Sequence, residues 1–544
     1  MGTPTQGAGA PTQARARPPA IWMASAITLA TLATLCACSM WINGGKLVFS
    51  LDDPYIHFAL AQHLAQGHYG INPGEYAAPS SSILWPWLLL PLTHSDDLLS
   101  WGVLSLNSLC ALGTLMCFWQ ALPEPVSHDS GRRTMTVVIL LLCLLASNQF
   151  TLVFTGLEHA LQVLTCSVMT LGLLRCAQTG ATHWWWLASI ALAPSLRYEC
   201  AALSVLNLVY LAYRGHWLMA TGTLLAMATP LAAFSEFLLS HGLGALPTSI
   251  IAKGNIAKHS TRVMIWLYNL KQNSLSLKGG LLAGLTLCLF AQATVQRAHP
   301  TKAGPAWVLA ASALAHLVLG RAGYRYDAYL WSATIVMLLA NHGATLTAWP
   351  KLTPKAWRPQ PLPLLYGAVG AGILAKSLAY TAVTPLATSN IHEQQYQMRR
   401  FAQEFYQGPV AVNDLGLVAY KNKQYVLDLG GLASLEATRR NQQQEHMWWG
   451  PMTEAHGVHL VMIYENQYQP IPPNWLKLGD LILGHAKFSA AEPTVAFFAT
   501  DCATAIKTHP KLGEFAASLP PGTRFERKPL AVGACRSAQF AQAK

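Results

Sequence analysis

A bundle of apolar membrane helices followed by a soluble α/β domain is the architecture this sequence predicts, on three observations. First, 52% of its 544 residues are hydrophobic and only 11% are charged, with a positive mean hydropathy. Soluble domains carry about a quarter charged residues, so this composition belongs to a polytopic membrane protein. Second, the apolar residues before position 385 gather in long runs separated by short polar turns. Third, the character changes after 385: VAVNDLGLVAY, YVLDLGGLAS, GVHLVMIYEN, DLILG and TVAFFATD read as strands between helical or turn segments. That stretch is long enough to hold a core of its own.

The elements follow in order. Residues 1–18, rich in Gly, Thr, Pro and Gln with Arg15 and Arg17, read as a disordered cytoplasmic tail. A membrane domain is expected over 19–384, opening with a span at 20–43 that is long enough to cross ~30 Å of hydrocarbon. That run is too long for a signal peptide, and no small-residue cleavage site follows it. Ile83–Thr93 is too short to cross, carries two prolines, and reads as a re-entrant or interfacial helix. Ten further apolar segments lie near 98–121, 134–152, 157–177, 183–195, 198–213, 217–240, 279–296, 305–320, 326–347 and 363–384, for about eleven transmembrane helices. With the N-terminus inside, Arg132, Arg133, Arg175, Arg214, Arg297, Lys302, Lys351, Lys355 and Arg358 all fall on inner loops, as the positive-inside rule requires. The α/β domain, 385–544, is then extracytoplasmic, and the protein belongs in a bacterial inner membrane with that domain periplasmic.

The net charge of +12 is accounted for by those inner loops. No basic run interleaved with aromatics marks a nucleic-acid partner. Nine of eleven cysteines sit singly in or beside apolar segments and no CxxC pair occurs, which argues against thiolate metal sites. Cys502 and Cys535 lie in the polar C-terminal region, where an oxidising compartment would allow a disulfide, and the spacing leaves that pairing open.

The chemistry concentrates after the first span, in the outer loop 44–82. Within it, Asp53–Pro54 reads as a helix start, an acid at the N-cap and proline at the first helical position. Ile56, Leu60 and Leu64 then mark a short amphipathic helix at the membrane surface, stopped by Gly67. Asp52, one place before the cap, has no helix-making duty and is the first candidate for catalysis. The same topology gathers Ala78–Ser82, Thr155–His159, Arg197–Glu199, Leu246–Lys253 and Arg325–Asp327 on the outer face. Each has a plain structural reading as well. Glu158 pairs with Arg197, the serines cap the next helix, His57 and His63 sit at the interface, and Lys253 faces headgroups.

Taken in order, DDPYI, APSSSILW, TGLEHAL, LRYE, LPTSIIAK and RYDAYL resemble the motifs of the polytopic GT-C glycosyltransferases. The likeness is to the branch similar to mycobacterial arabinofuranosyltransferases, whose motifs run roughly DDAYI, SPLW, TGLET, TRPEG, LPNTFYAK and a late Arg-Tyr. It covers about residues 20–345, and NDLGLVAY…VLDLGGLAS resembles the start of that branch's C-terminal domain. Ser80 to Ser82 stand where that branch commonly has Ser-Pro, Tyr198 where it has proline, and Thr248–Ser249 where it has Asn-Thr. The resemblance implies transfer of a sugar from a polyprenyl-phosphate carrier to a hydroxyl of an envelope glycan, lipid or protein outside the membrane. Such a reaction needs one carboxylate to take the acceptor's proton and cations for the departing phosphate, and direct attack inverts the anomeric centre.

Asp52 is the expected base, with Asp53 beside it occupied in capping. Lys253 and Arg325 are the expected phosphate ligands, with Arg197 a third choice because Glu158 or Glu199 already neutralises it. Glu158, His57, Tyr55 and Ser81 complete the expected substrate contacts. A divalent cation, Mg or Mn, bridging Asp52 and the phosphate is compatible with these residues, although no ligand spacing demands one. The competing class is a transporter or flippase of lipid-linked sugars, which would more often show an inverted repeat and broken mid-membrane helices, neither of which this sequence carries.

Overall fold

The computed structural model describes residues 20–123, 130–253, 262–276, 279–348 and 361–529. The N-terminal tail, Lys351, Lys355, Arg358 and Cys535 lie outside these residues. The chain is mostly helical, with a small mixed sheet at its C-terminal end.

A helix occupies each of the eleven apolar segments. Among the described residues, six are long and apolar enough to cross a membrane: Ala20–Ile42, Asp96–Ala121, His159–Thr179, Trp217–Ser240, Pro300–Leu319 and the long run from Pro361. The shorter ones, such as Trp184–Leu196 and Ala201–Tyr213, are packed among these. Three boundaries differ from expectation. The segment expected at 134–152 is two helices, Ser130–Ala146 and Gln149–Val153, because Asn148 takes a left-handed conformation at φ 59° between them. An unanticipated helix, Arg262–Leu275, is too polar to register as an apolar run. Pro361–Glu393 runs through position 385, so the last apolar helix continues directly into the C-terminal domain.

Among its described residues that domain carries six strands: β1 (Val410–Val412), β2 (Val426–Asp428), β3 (Leu460–Ile463), β4 (Leu476–Ile482), β5 (Thr494–Ala499) and β6 (Arg524–Arg527). Their order is β2-β1-β3-β5-β4-β6, with the first three parallel and the rest antiparallel. The β-rich run at 410–420 yields only a three-residue strand, since Gly416–Ala419 turns into a short helix. Cys502 is disulfide-bonded, and the other nine cysteines of the described residues are free.

The membrane module has two distinguishable ends. At one, Asp96 receives the Tyr420 hydroxyl, Asn72 exchanges hydrogen bonds with the backbone of Val426, and Gln442 reaches the carbonyl of Ile251. At the other, about 40 Å away along the 26-residue helix Asp96–Ala121, Arg175 bonds Gln120, and Arg132 reaches Thr347. The C-terminal domain therefore sits on the end opposite these basic residues.

Candidate active site

The stretch before Leu64 folds differently from its sequence pattern. The helix is Asp53–Leu64, with Asp52 at the N-cap position and Asp53 already inside the first turn, and no side chain caps it. Its residues from Pro54 to Ala61 are all buried, so it is a core helix rather than an amphipathic one at a surface. Phe58 and Leu60 are fully enclosed, each contributing about 1.5–3 kcal/mol of burial. The C-terminal domain covers the face that would otherwise meet water.

Asp52 does have a structural duty, and its partner is far away in sequence. Its carboxylate accepts the backbone N–H groups of Gly416 at 2.6 Å and Leu417 at 2.8 Å, at the start of the helix after β1. A helix start presents unpaired N–H groups, which makes it a natural seat for an anion. The approach is close enough that a Cβ on Gly416 would lie 2.1 Å from the Asp52 carbonyl oxygen. Burial first, and then neighbouring Asp414, push the Asp52 carboxyl well above its usual range, while the two amide donors hold it down. Asp414 is itself held by Gln395 and the Tyr464 hydroxyl, both at 2.7 Å.

Asp53 points the other way, into a small cavity of about 10 Å³, room for a single water. Polar groups from four separate motifs meet there: Asp53 and His57, Ser81, Arg197 and Arg325. Ile56, Pro79, Leu157 and Leu432 complete the lining. The TGLE turn fits against the first acids because Gly156, at φ 67°, lies where a Cβ would strike Phe49 at 2.7 Å and Pro54 at 2.9 Å. Ser82 caps the helix after it, receiving the Trp85 N–H at 3.1 Å, while Ser80 meets Nδ1 of His57 at 3.2 Å.

The two arginines are held differently. Arg197 donates to Glu158 at 2.8 Å, to both oxygens of Glu199, and to Ser81 at 3.0 Å. Glu158 is fully buried beneath it. Burial works against the Arg197 cation, but the two carboxylates more than offset it and keep the guanidinium firmly charged. Arg325 pairs with Asp53 and touches the Tyr326 hydroxyl through Nη2, yet its Nε and Nη1 are buried with no hydrogen-bond partner among the described residues. The residue is only 8% exposed. Burial again opposes its charge, and Tyr326 and Asp53 outweigh burial. A buried guanidinium with two unused donors is costly unless a ligand completes it.

A domain of unknown function, DUF8728, matches residues 389–498. No curated protein matches the sequence. Among solved structures, the chain is similar to ArnT from Cupriavidus metallidurans bound to undecaprenyl phosphate, at 12% identity and a TM-score of 0.48, over 90% of this chain and 99% of that one. It is also similar to the arabinofuranosyltransferase AftD from Mycobacteria, at 12% identity and a TM-score of 0.40, over 89% of this chain and 41% of that one. At these scores the likeness says nothing about chemistry, whereas the site's own residues do.

The structure brings five of the nine expected site residues to the cavity: Asp53, His57, Ser81, Arg197 and Arg325. Glu158 stands behind Arg197, and its other oxygen lies 3.9 Å from His57. Tyr55 is directed away, its hydroxyl accepting the Phe49 N–H and its ring packed on Phe49 and Phe58. Lys253 ends the helix Thr248–Lys253, and its side chain lies outside the described residues. His63 is satisfied by the Gly70 carbonyl at 2.8 Å. Among the described residues no group of three or more His, Cys, Asp or Glu gathers to hold a metal ion, so no step is drawn through one. Leu432 carries no sequence signal as a cavity residue. It reaches the site only through the fold of the C-terminal domain.

Proposed function

We propose that this chain is a membrane glycosyltransferase that moves a sugar from a polyprenyl-phosphate carrier to an acceptor hydroxyl of an envelope glycan, lipid or protein, with inversion at the anomeric carbon. One observation carries the reading. A buried arginine with two donors unpartnered among the described residues lies against a carboxylate in one cavity, and both residues fall in the motifs that resemble GT-C enzymes.

In this reading the open donors of Arg325 hydrogen-bond the phosphate, while Nη2 holds Asp53 in place. The departing group is a phosphate, which needs stabilised charge rather than a proton. Asp53, with 28% of its side chain exposed, accepts the acceptor's proton as the new bond forms. The base is thus assigned to Asp53 rather than Asp52, whose carboxylate is engaged by two amides of the C-terminal domain. Arg197 and Ser81 shape the opposite wall.

The orientation rests on charge. Arg132, Arg133, Arg175 and Arg214 lie at helix ends on the side away from the C-terminal domain, which the positive-inside rule puts in the cytoplasm. Eleven crossings satisfy that rule and leave the site and the C-terminal domain outside. A flippase would need a continuous path through the bundle. An acid–arginine pair enclosed beneath a soluble domain fits transfer chemistry better.

Mass spectrometry of lipids co-purifying with the full chain tests the proposal. A polyprenyl phosphate or its glycosylated form is the expected finding. Recovery of bulk phospholipid alone, together with no glycosyl transfer from any polyprenyl-phosphate sugar, would overturn it.

A further inference from the structure

We propose that Leu432 is a specificity-determining wall of the glycosyl pocket, supplied by the C-terminal domain. Among the described residues it alone of the cavity lining comes from that domain, and it faces Asp53, Arg197 and Arg325. The inference rests on the glycosyltransfer reading of that cavity.

The loop that carries Leu432 is shaped to present it. Gly430 comes so near β1 that a Cβ there would lie 2.8 Å from the Asn413 carbonyl oxygen. Gly431, at φ 86°, packs on Thr438, whose hydroxyl donates to the Gly431 carbonyl. On the far side, the Ala433 N–H donates to the Asp428 carboxylate at 2.7 Å. The flanks of Leu432 are therefore fixed, one to the helix Leu435–Gln443 and the other to β2. The sheet is in turn fixed to the membrane module by Asp52 on Gly416 and Leu417, and by the paired bonds of Asn72 with Val426. Leu432 stands over the polar cavity because of these four attachments.

A cavity of about 10 Å³ holds a water and not a sugar ring. One wall must yield when a glycosyl group enters. Pro79 is a rigid ring, Arg197 is pinned by two carboxylates and a serine, and Arg325 is tied to Asp53. Leu432 is half-buried and turns about two side-chain bonds, so it is the wall that gives. How far it gives decides which ring substituents fit. A pentosyl and a hexosyl group differ by one hydroxymethyl, a size comparable to what Leu432→Ala removes.

The test uses the full chain in lipid nanodiscs, with undecaprenyl phosphate alone or carrying arabinose or glucose as probes. Leu432→Trp is expected to lose at least tenfold more affinity for either glycosylated lipid than for undecaprenyl phosphate. Retained binding of the bare lipid also reports that the variant is folded. Leu432→Ala is expected to change the arabinose-to-glucose preference at least fivefold, toward the larger sugar. If wild type binds these lipids and both variants bind all three probes as wild type does, Leu432 is not a wall, and the glycosyltransfer reading stands. If wild type binds none of them, the glycosyltransfer reading falls, and this inference falls with it.

Discussion

Arg197 and Arg325 line the same cavity, are buried to nearly the same extent, and come from motifs of similar appearance. They are held in opposite ways. Arg197 has two carboxylates and a serine about it, whereas Arg325 has one carboxylate and two idle nitrogens. The first is a finished structural knot joining three helices. The second keeps two donors without a partner among the described residues, and the proposed reading gives them to the phosphate. Burial and charge alone do not tell a structural arginine from a ligand-binding one; the hydrogen-bond count does.

The largest effect should fall on the acid that shares Arg325. Asp53→Asn keeps size and polarity but cannot take a proton, and loss of a general base costs ~10²–10⁴ in rate. Glycosyl transfer should fall by that factor with donor binding retained. Asp52→Asn still offers an oxygen to one of its two amides and should lose far less. Equal losses in both variants would mean the two acids act together, and the contrast drawn here would fail.

Arg197→Met should instead strike stability. It leaves Glu158 and Glu199 without their cation, and an uncompensated buried charge costs about 3–5 kcal/mol. A sharply lowered thermal midpoint, or failure to accumulate in the membrane, is the expected result. A stable but inactive Arg197→Met would make Arg197 a ligand too and erase the distinction.

The smallest effect concerns the loop that holds Leu432. Burial pushes the Asp428 carboxyl from 3.8 to about 6, against the backbone N–H groups of residues 430–433 that hold it down. The folded state therefore binds this proton more tightly than the unfolded chain. The group's contribution is full below about pH 4 and is lost as the pH rises through about 6. Thermal midpoints of wild type minus Asp428→Asn, measured from pH 4 to 7, should fall across that window and then level off. A flat difference would put the Asp428 carboxyl in its ordinary range.

Much of this was legible in the sequence, and the failures are instructive. Helix positions followed from apolar runs because lipid-facing and core-facing residues are both apolar. Arg325, Arg197, Glu158 and Ser81 stood out because charged and polar residues between apolar runs are few. In the proposed reading the two acids exchange roles, for two reasons. Helix starts are uncertain by a residue or so from sequence, which moved the expected cap from Asp52 to Asp53. The partner of Asp52 is 364 residues away, beyond anything local pattern can indicate. The helix Asp53–Leu64 was expected at a surface because its burial comes from a domain encoded much later in the chain. Leu432 was invisible for the same reason: one leucine in a Gly-Gly loop has no pattern to betray it.

The central claim is that the open nitrogens of Arg325 are a lipid-phosphate site, and binding of undecaprenyl phosphate to the full chain in nanodiscs tests it directly. Arg325→Ala removes charge-assisted hydrogen bonds worth ~1.5–3 kcal/mol, so affinity should fall roughly ten- to a hundredfold, while Asp53→Asn should bind within a few fold of wild type. Wild-type affinity in a folded Arg325→Ala protein would contradict the account and move the phosphate elsewhere.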